Sequence, residues 1–300
     1  MKHHPLSDPR ILSHVARRRS VLALMGAVAI LSACGGGGSD VASVGSGGTG
    51  SFTVGRVAGF GSIIVNGIRF DDSNAQVRDA DGNLSSRDQV RLGMVVSING
   101  SSISPGVAGG LPSASASSLS FGSELKGPIA SKTADAFVVL GQTVRITSTT
   151  VFELGIGGGL AGLAMGQVAE VYGYLNPTTN EIIATRIERE NGANEYRLQG
   201  LVSGLDPVAR RFNIGTLSIN YTGARDVPTT LANGQVVRVR LATTPTVSAG
   251  AEVWSATRLQ KPESPINDIN DIDEAEIEGV VSAFTSPTSF SVNGIVVDAR

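Results

Sequence analysis

From residue 52 onward, apolar and polar positions alternate in short runs. Val168-Ala169-Glu170-Val171 and Val236-Val237-Arg238-Val239 are two of them. A period of two predicts strands with one apolar and one wet face, because successive side chains point to opposite sides of a sheet. Asn66-Gly67 and Asn293-Gly294 predict tight hairpins, since Gly takes positive φ without steric cost, and Asp81-Gly82 predicts another turn. Outside the N-terminal segment no long window has a helical apolar period. The best helix candidates are single turns, at Ser86-Arg87-Asp88-Gln89-Val90 and Leu160-Ala161-Gly162-Leu163.

The runs recur in order. A first landmark, glycine before an apolar pair or near-pair, reads Gly55-Arg56-Val57, Gly127-Pro128-Ile129, Gly200-Leu201-Val202 and Gly279-Val280-Val281. A second is a hairpin: Val65-Asn66-Gly67-Ile68, Leu140-Gly141-Gln142, Ile214-Gly215-Thr216 and Val292-Asn293-Gly294. The third is a glycine opening a strand, at Gly93, Gly166 and Gly234, and the fourth closes the unit, as Ala184-Thr185-Arg186-Ile187 and Ala256-Thr257-Arg258-Leu259. Each unit thus holds three strands, a short crossover and two more strands. Five strands of this length remove their exposed edges by closing on themselves. The fold class expected is all-β: tandem small five-stranded antiparallel barrels of OB-fold-like order, at 52–121, 122–192 and 193–262. An acidic linker at 263–276 and an incomplete fourth repeat at 277–300 follow. That repeat stops after its second landmark, which reads as a truncated product or as a hairpin pairing with an open edge elsewhere. Truncation is preferred, since an isolated hairpin is marginally stable.

The N-terminus reads differently. Arg17-Arg18-Arg19 precede an apolar run from Val21 to Leu31, too short for a bilayer core, and small residues follow. This is the pattern of a secretory signal over residues 1–33. Its end, Leu31-Ser32-Ala33-Cys34, resembles the lipobox of bacterial lipoproteins, which implies cleavage between Ala33 and Cys34 and a diacylglycerol on the Cys34 thiol. Arg18-Arg19-Ser20-Val21-Leu22 also resembles a twin-arginine signal, so the export route stays open. Residues 34–51 are a Gly/Ser-rich tether, a flexible coil spanning roughly 20–25 Å. Gly35 rather than Asp after the cysteine resembles lipoproteins sorted to an outer membrane. The expected location is the cell envelope, as an outer-membrane lipoprotein facing the periplasm or the cell surface.

Removing the signal changes the chemistry. His3, His4 and His14 leave with it, and Cys34 is the sole cysteine, so Ser-His-Asp and Cys-His pairs and His/Cys metal or haem sites are excluded. The 24 basic residues lose Lys2, Arg10, Arg17, Arg18 and Arg19, the 26 acidic ones lose only Asp8, and a net charge of −6 remains. An acidic chain is poorly matched to a phosphate backbone.

The strings Gly59-Phe60-Gly61-Ser62-Ile63-Ile64-Val65-Asn66-Gly67, Val139-Leu140-Gly141-Gln142-Thr143-Val144-Arg145, Leu92-Gly93-Met94-Val95-Val96 and Ala184-Thr185-Arg186-Ile187 resemble a bacterial envelope family, domain-of-unknown-function 5666. The resemblance implies an exported tandem-barrel protein and brings no functional residues with it.

Candidate sites are few. Gly157-Gly158-Gly159-Leu160-Ala161-Gly162 matches G-x-G-x-x-G, but no βαβ unit surrounds it, so a crossover loop is expected. The acidic run from Asn267 to Glu274 offers oxygens of the kind Ca²⁺ takes but lacks EF-hand register, so a solvated linker is expected. Asp79-Ala80-Asp81-Gly82-Asn83 reads as a plain turn. Tyr172, Tyr174, Tyr196, Tyr221 and Trp254 are scattered and are expected in cores rather than as a base-stacking platform. Among the carboxylates, Glu153, Glu170 and Glu181 carry no assigned role, and Glu170 is expected to face solvent. No catalytic residue, cofactor or metal is expected. The leading function is a lipid-anchored envelope protein whose barrels are binding or spacer modules, contacting the membrane through Cys34 and an envelope protein or polysaccharide, with no nucleic acid. The alternative is a carboxylate-based carbohydrate-active enzyme, and a weaker option is cation sensing by the linker acids.

Overall fold

The computed structural model describes residues 50–176, 179–248, 250–262, 272–293 and 295–298. The signal, the cleavage point at Ala33, Cys34 and most of the acidic run lie outside the described residues.

The first unit comprises β1 (Gly50–Gly59), β2 (Ile63–Val65), β3 (Ile68–Asp71), β4 (Gln76–Asp79), β5 (Val95–Ser101) and β6 (Ser113–Phe121). Its pairings run β1–β2, β2–β3, β3–β6, β6–β5 and β5–β1, a closed ring of five strands with β4 added along β6. The second unit repeats the scheme with β7 (Leu125–Lys132), β8 (Ala136–Val139), β9 (Gln142–Arg145), β10 (Val151–Phe152), β11 (Val168–Asn176) and β12 (Glu181–Glu190). The third does so with β13 (Tyr196–Asp206), β14 (Arg211–Ile214), β15 (Leu217–Asn220), β16 (Val236–Leu241), β17 (Thr246–Ser248) and β18 (Ala251–Gln260). The order is that of an OB-fold, and the described residues are all-β. The expectation of antiparallel barrels fails at one junction of each ring: four junctions are antiparallel, but the third and fifth strands run parallel. Parallel neighbours need a crossover rather than a hairpin, and the segment between the third and fourth strands supplies it. Single 3₁₀ turns sit there, at Arg87–Gln89 and Gly159–Gly162. The G-x-G-x-x-G string is therefore crossover loop.

The landmarks have a common physical cause. At the first, a side chain from the hairpin packs where a glycine Cβ would stand: a Cβ on Gly127 would lie 2.7 Å from Leu140 Cγ, and Gly55 and Gly200 are crowded in the same way by Asn66 and Ile214. Leu140 makes this contact from a left-handed backbone, φ 48°, which is costly for a leucine. Its burial against Gly127 offsets that cost. The third landmark is tied to the first by one pair of backbone bonds used three times. Gly93, Gly166 and Gly234 donate to Val57, Ile129 and Val202, which donate back to Met94, Gln167 and Gln235, all at 2.8–2.9 Å. Inward residues of each ring then form a dry core, with Phe70, Phe137 and Phe212 almost wholly buried.

The last described residues form β19 (Ile272–Ile277) and a meander of β20 (Val281–Ser286), β21 (Ser289–Val292) and β22 (Ile295–Asp298). Here the expectation of an acidic linker over 263–276 needs correction. Residues 272–277 are a strand that pairs in parallel with β1, Gly50 facing Ile272 and Val54 facing Ile277. The reason lies in β1. Its first half pairs with β5 on one side, whereas short β2 reaches only Val57 and Gly59 on the other. The remaining edge has unpaired backbone groups, and β19 covers them.

Candidate functional site

The three rings are not beads on a string. The opening strands of rings two and three share a short ladder, Arg197 facing Lys126 and Leu198 facing Leu125. On the other flank, Arg186, buried near the end of ring two, donates to the Leu92 carbonyl of ring one at 3.0 Å. At the place where all three rings meet, the outward positions of these strands carry charge.

Asp81 is the centre of that joint. Its turn forms as the sequence predicts: Gly82 has φ 80°, and the Asp79 carboxylate accepts from the amides of Asp81 and Asn83 at 2.9 Å. What the sequence does not reveal is that the Asp81 side chain, 1% exposed, reaches out of ring one into ring three. There it accepts from Arg240, with Arg197 at 3.8 Å and Gln260 at 3.4 Å. Burial alone would raise the Asp81 pKa, but the Arg240 hydrogen bond and the charges of Arg197, Arg240 and Arg238 hold it below the ordinary aspartate value. Arg240 also donates to Glu195 at 2.9 Å, and Glu195 accepts from Thr257 at 2.8 Å. Glu195 behaves like Asp81: burial opposes ionisation, and Arg240, Thr257 and Arg225 outweigh it.

Ring two contributes Glu170, and the expectation that it faces solvent is overturned. It accepts from Ser123 at 2.8 Å and pairs with Arg197 and Lys126 at 3.4 and 3.5 Å. The strand does alternate, but its outer face is an interface between rings, so the outward carboxylate is paired instead of solvated. Glu153 and Glu181 lie elsewhere. Glu153 accepts from the Arg189 amide, and Glu181 pairs with Arg145. No two of these three carboxylates face one another as an acid–base pair. Tyr172, Tyr174, Tyr221 and Trp254 are buried, and the Trp254 ring packs on that of Tyr196 at 5.8 Å between centroids. Among the described residues no group of acidic side chains is gathered as a metal site.

Beside the joint opens a cleft of about 470 Å³, walled by outward positions of β5 and β6, by β11, by ring three and by the terminal meander. Glu124 and Arg238 stand on its wall. Glu124 is fixed by its backbone, donating to Val171 and accepting from Gln199, both at 2.9 Å. Burial raises its carboxyl pKa to about 7, against the smaller opposing pull of Arg238. Arg238 donates to the Ser123 carbonyl at 3.3 Å and to Gln199 Oε1 at 3.0 Å. Burial lowers its pKa, the Glu124 charge opposing. Glu124 was not singled out from the sequence, because it stands one residue before a strand, where a charged residue usually meets water. Arg238 stands at a polar position of the alternating strand Val236–Leu241, which by itself predicts a solvated side chain.

Residues 126–188, which cover most of ring two, match the family described as Domain of unknown function (DUF5666). The resemblance read from the sequence therefore holds for that segment. Among solved structures, the chain is similar to one described as drosophila Unr CSD456, at 14% identity over 67% of this chain and 86% of that one, with a TM-score of 0.21. A superposition that poor bears on neither site nor function. Nothing among the curated proteins matches the chain.

Proposed function

We propose that the chain is an exported protein, cut after Ala33 and anchored by a lipid on Cys34, whose tandem barrels form a non-catalytic binding module for an envelope protein or polysaccharide. The observation that carries this is the cleft of about 470 Å³ between the rings, a volume in the ordinary range for ligand sites. A pure spacer needs no such cleft. The enzymatic alternative needs two carboxyls acting together. Glu124 has the raised pKa of a general acid, but the other carboxylate on the cleft wall, Asp79, is engaged by its own turn. That arrangement favours binding over hydrolysis.

Crosslinking in intact cells, followed by pull-down from the membrane fraction, tests the reading. Wild type should appear in that fraction with a reproducible envelope partner, and Cys34→Ala should be lost from it. Turnover of an envelope polymer by the purified chain, abolished by Glu124→Gln, would establish the enzyme instead.

A further inference from the structure

Resting on the binding-module reading, we infer that ring one is a movable jaw of the cleft, hinged at Gly122 and held shut by polar ties to a rigid body of rings two and three. The rigid body is visible in the core. Rings two and three share one apolar cluster, in which Leu125 and Val139 are continuous with Leu198 and Phe212, and their strands join in one sheet. Ring one has a cluster of its own, Phe70 and Ile98 among its members, and a separate sheet. Units that share a large apolar contact move together, whereas a polar contact leaves relative motion open.

The hinge is one residue long. Phe121 ends β6, the last strand of ring one. Ser123 is already fastened to the other body: its hydroxyl donates to Glu170 at 2.8 Å and accepts from Arg197 at 2.9 Å, and its carbonyl accepts from Arg238 at 3.3 Å. Between them, Gly122 lies against Ala80, where an added Cβ would stand 2.1 Å from Ala80 Cβ. The next residue after Ala80 is the first tie, Asp81, which reaches Arg240, Arg197 and Gln260 of ring three. The second tie is on the other flank. There Arg186 donates to the Leu92 carbonyl and Arg56 to the Thr149 carbonyl, both at 3.0 Å. The wall of the cleft is divided along the same line, Ser97 and Ser120 belonging to ring one, Tyr174 and Arg238 to the body. Its width is therefore set by the angle at Gly122, and releasing the ties widens it.

The test is a distance measurement by double electron–electron resonance between pairs of spin labels on the full chain, with Cys34→Ala so that labels sit only at introduced cysteines. Three exposed pairs serve. Leu84→Cys with Val208→Cys reads the jaw, Leu154→Cys with Val208→Cys reads the body, and Leu84→Cys with Val107→Cys reads ring one itself. With the ties intact, each pair should give one narrow distance. Asp81→Ala combined with Arg186→Met should broaden the jaw distance and move it to longer values, leaving the other two unchanged. Gly122→Ala drives a Cβ into Ala80 without removing a charge; it should shift the jaw distance in the same way and carries the test if the double variant does not fold. The inference is overturned if neither variant shifts the jaw distance. It also falls if the Leu154–Val208 distance shifts as well, since rings two and three are then not one body, or if the Leu84–Val107 distance broadens in both, since ring one then unfolds instead of swinging. These distances are read without any ligand, so the binding-module reading survives each of those results; it fails separately, if crosslinking captures no envelope partner.

Discussion

Leu125 and Glu124 are neighbours in sequence and opposites in environment. Leu125 is wholly buried in the dry core of ring two among Val139, Val171 and Ile187, while Glu124 is enclosed at the joint beside Arg238. Ring three repeats the contrast residue by residue, Val237 and Val239 inward and Arg238 and Arg240 toward the other rings. Period-two alternation makes one face of a strand apolar and the other polar, but it does not say that the polar face meets water. In this chain the polar face is also buried, by the next barrel, and the two faces are stabilised by different forces. Apolar area secures each ring. Charge pairs at the joint align ring one with ring three, and between rings two and three the apolar cluster is itself continuous.

Four variants separate these contributions. Phe137→Ala empties a core position that is 1% exposed and should cost about 3–5 kcal/mol in a denaturant titration. A loss below that of any joint variant would mean the rings are not the main source of stability. Gly127→Ala brings a Cβ to 2.7 Å from Leu140 Cγ and should cost about 1–3 kcal/mol. The same change in a Leu140→Ala background should cost much less, a coupling that a double-mutant cycle reads directly.

Glu124→Gln should act with the opposite sign. The carboxyl titrates near 4.5 in the unfolded chain and about 7 in the folded one, so between those values the folded chain keeps a proton that the unfolded chain has released. Its contribution to stability is complete below pH 4.5 and declines until about pH 7. Wild type should therefore lose stability over that window, and the glutamine variant should not, ending more stable at pH 8 in paired urea melts. Asp81→Asn should give the smallest change, about 1 kcal/mol at neutral pH, because Arg240 and Arg197 are each a quarter or so exposed and regain water. Its mark is in acid. The lowered Asp81 pKa gives stability that is present above the unfolded value of 3.8 and is lost as pH falls through the folded one, so the asparagine variant should lack that part of the acid transition.

The rings were legible because their closure is written locally. Gly127 must face Leu140, and Gly166 must take φ 76° to start β11. Such requirements leave glycines at fixed places in each repeat, and a reader needs only alternation and turn chemistry to find them. The joint was not legible, because nothing local to Asp81 distinguishes it from any Asp-Gly turn, and its partners stand in a different repeat. Glu170 was misread for the same reason. The strand at Ile272–Ile277 was hidden by its charge, since Asp273, Glu274 and Glu276 resemble a solvated run until the free edge of β1 is seen. Periodicity reports which way a side chain points, whereas pairing across distant segments decides what it meets.

The ladder between β1 and β19 also sets a timetable for synthesis. Ring one can close as soon as β6 emerges, but half of its first strand keeps an open edge until residue 277 has been made, after two further barrels. Throughout that interval the edge is a template for any passing strand, including the corresponding segment of a second nascent chain. The acids of the late-arriving strand then have a use beyond solubility: mutual repulsion keeps copies of it from pairing with each other, so that it is reserved for its own chain.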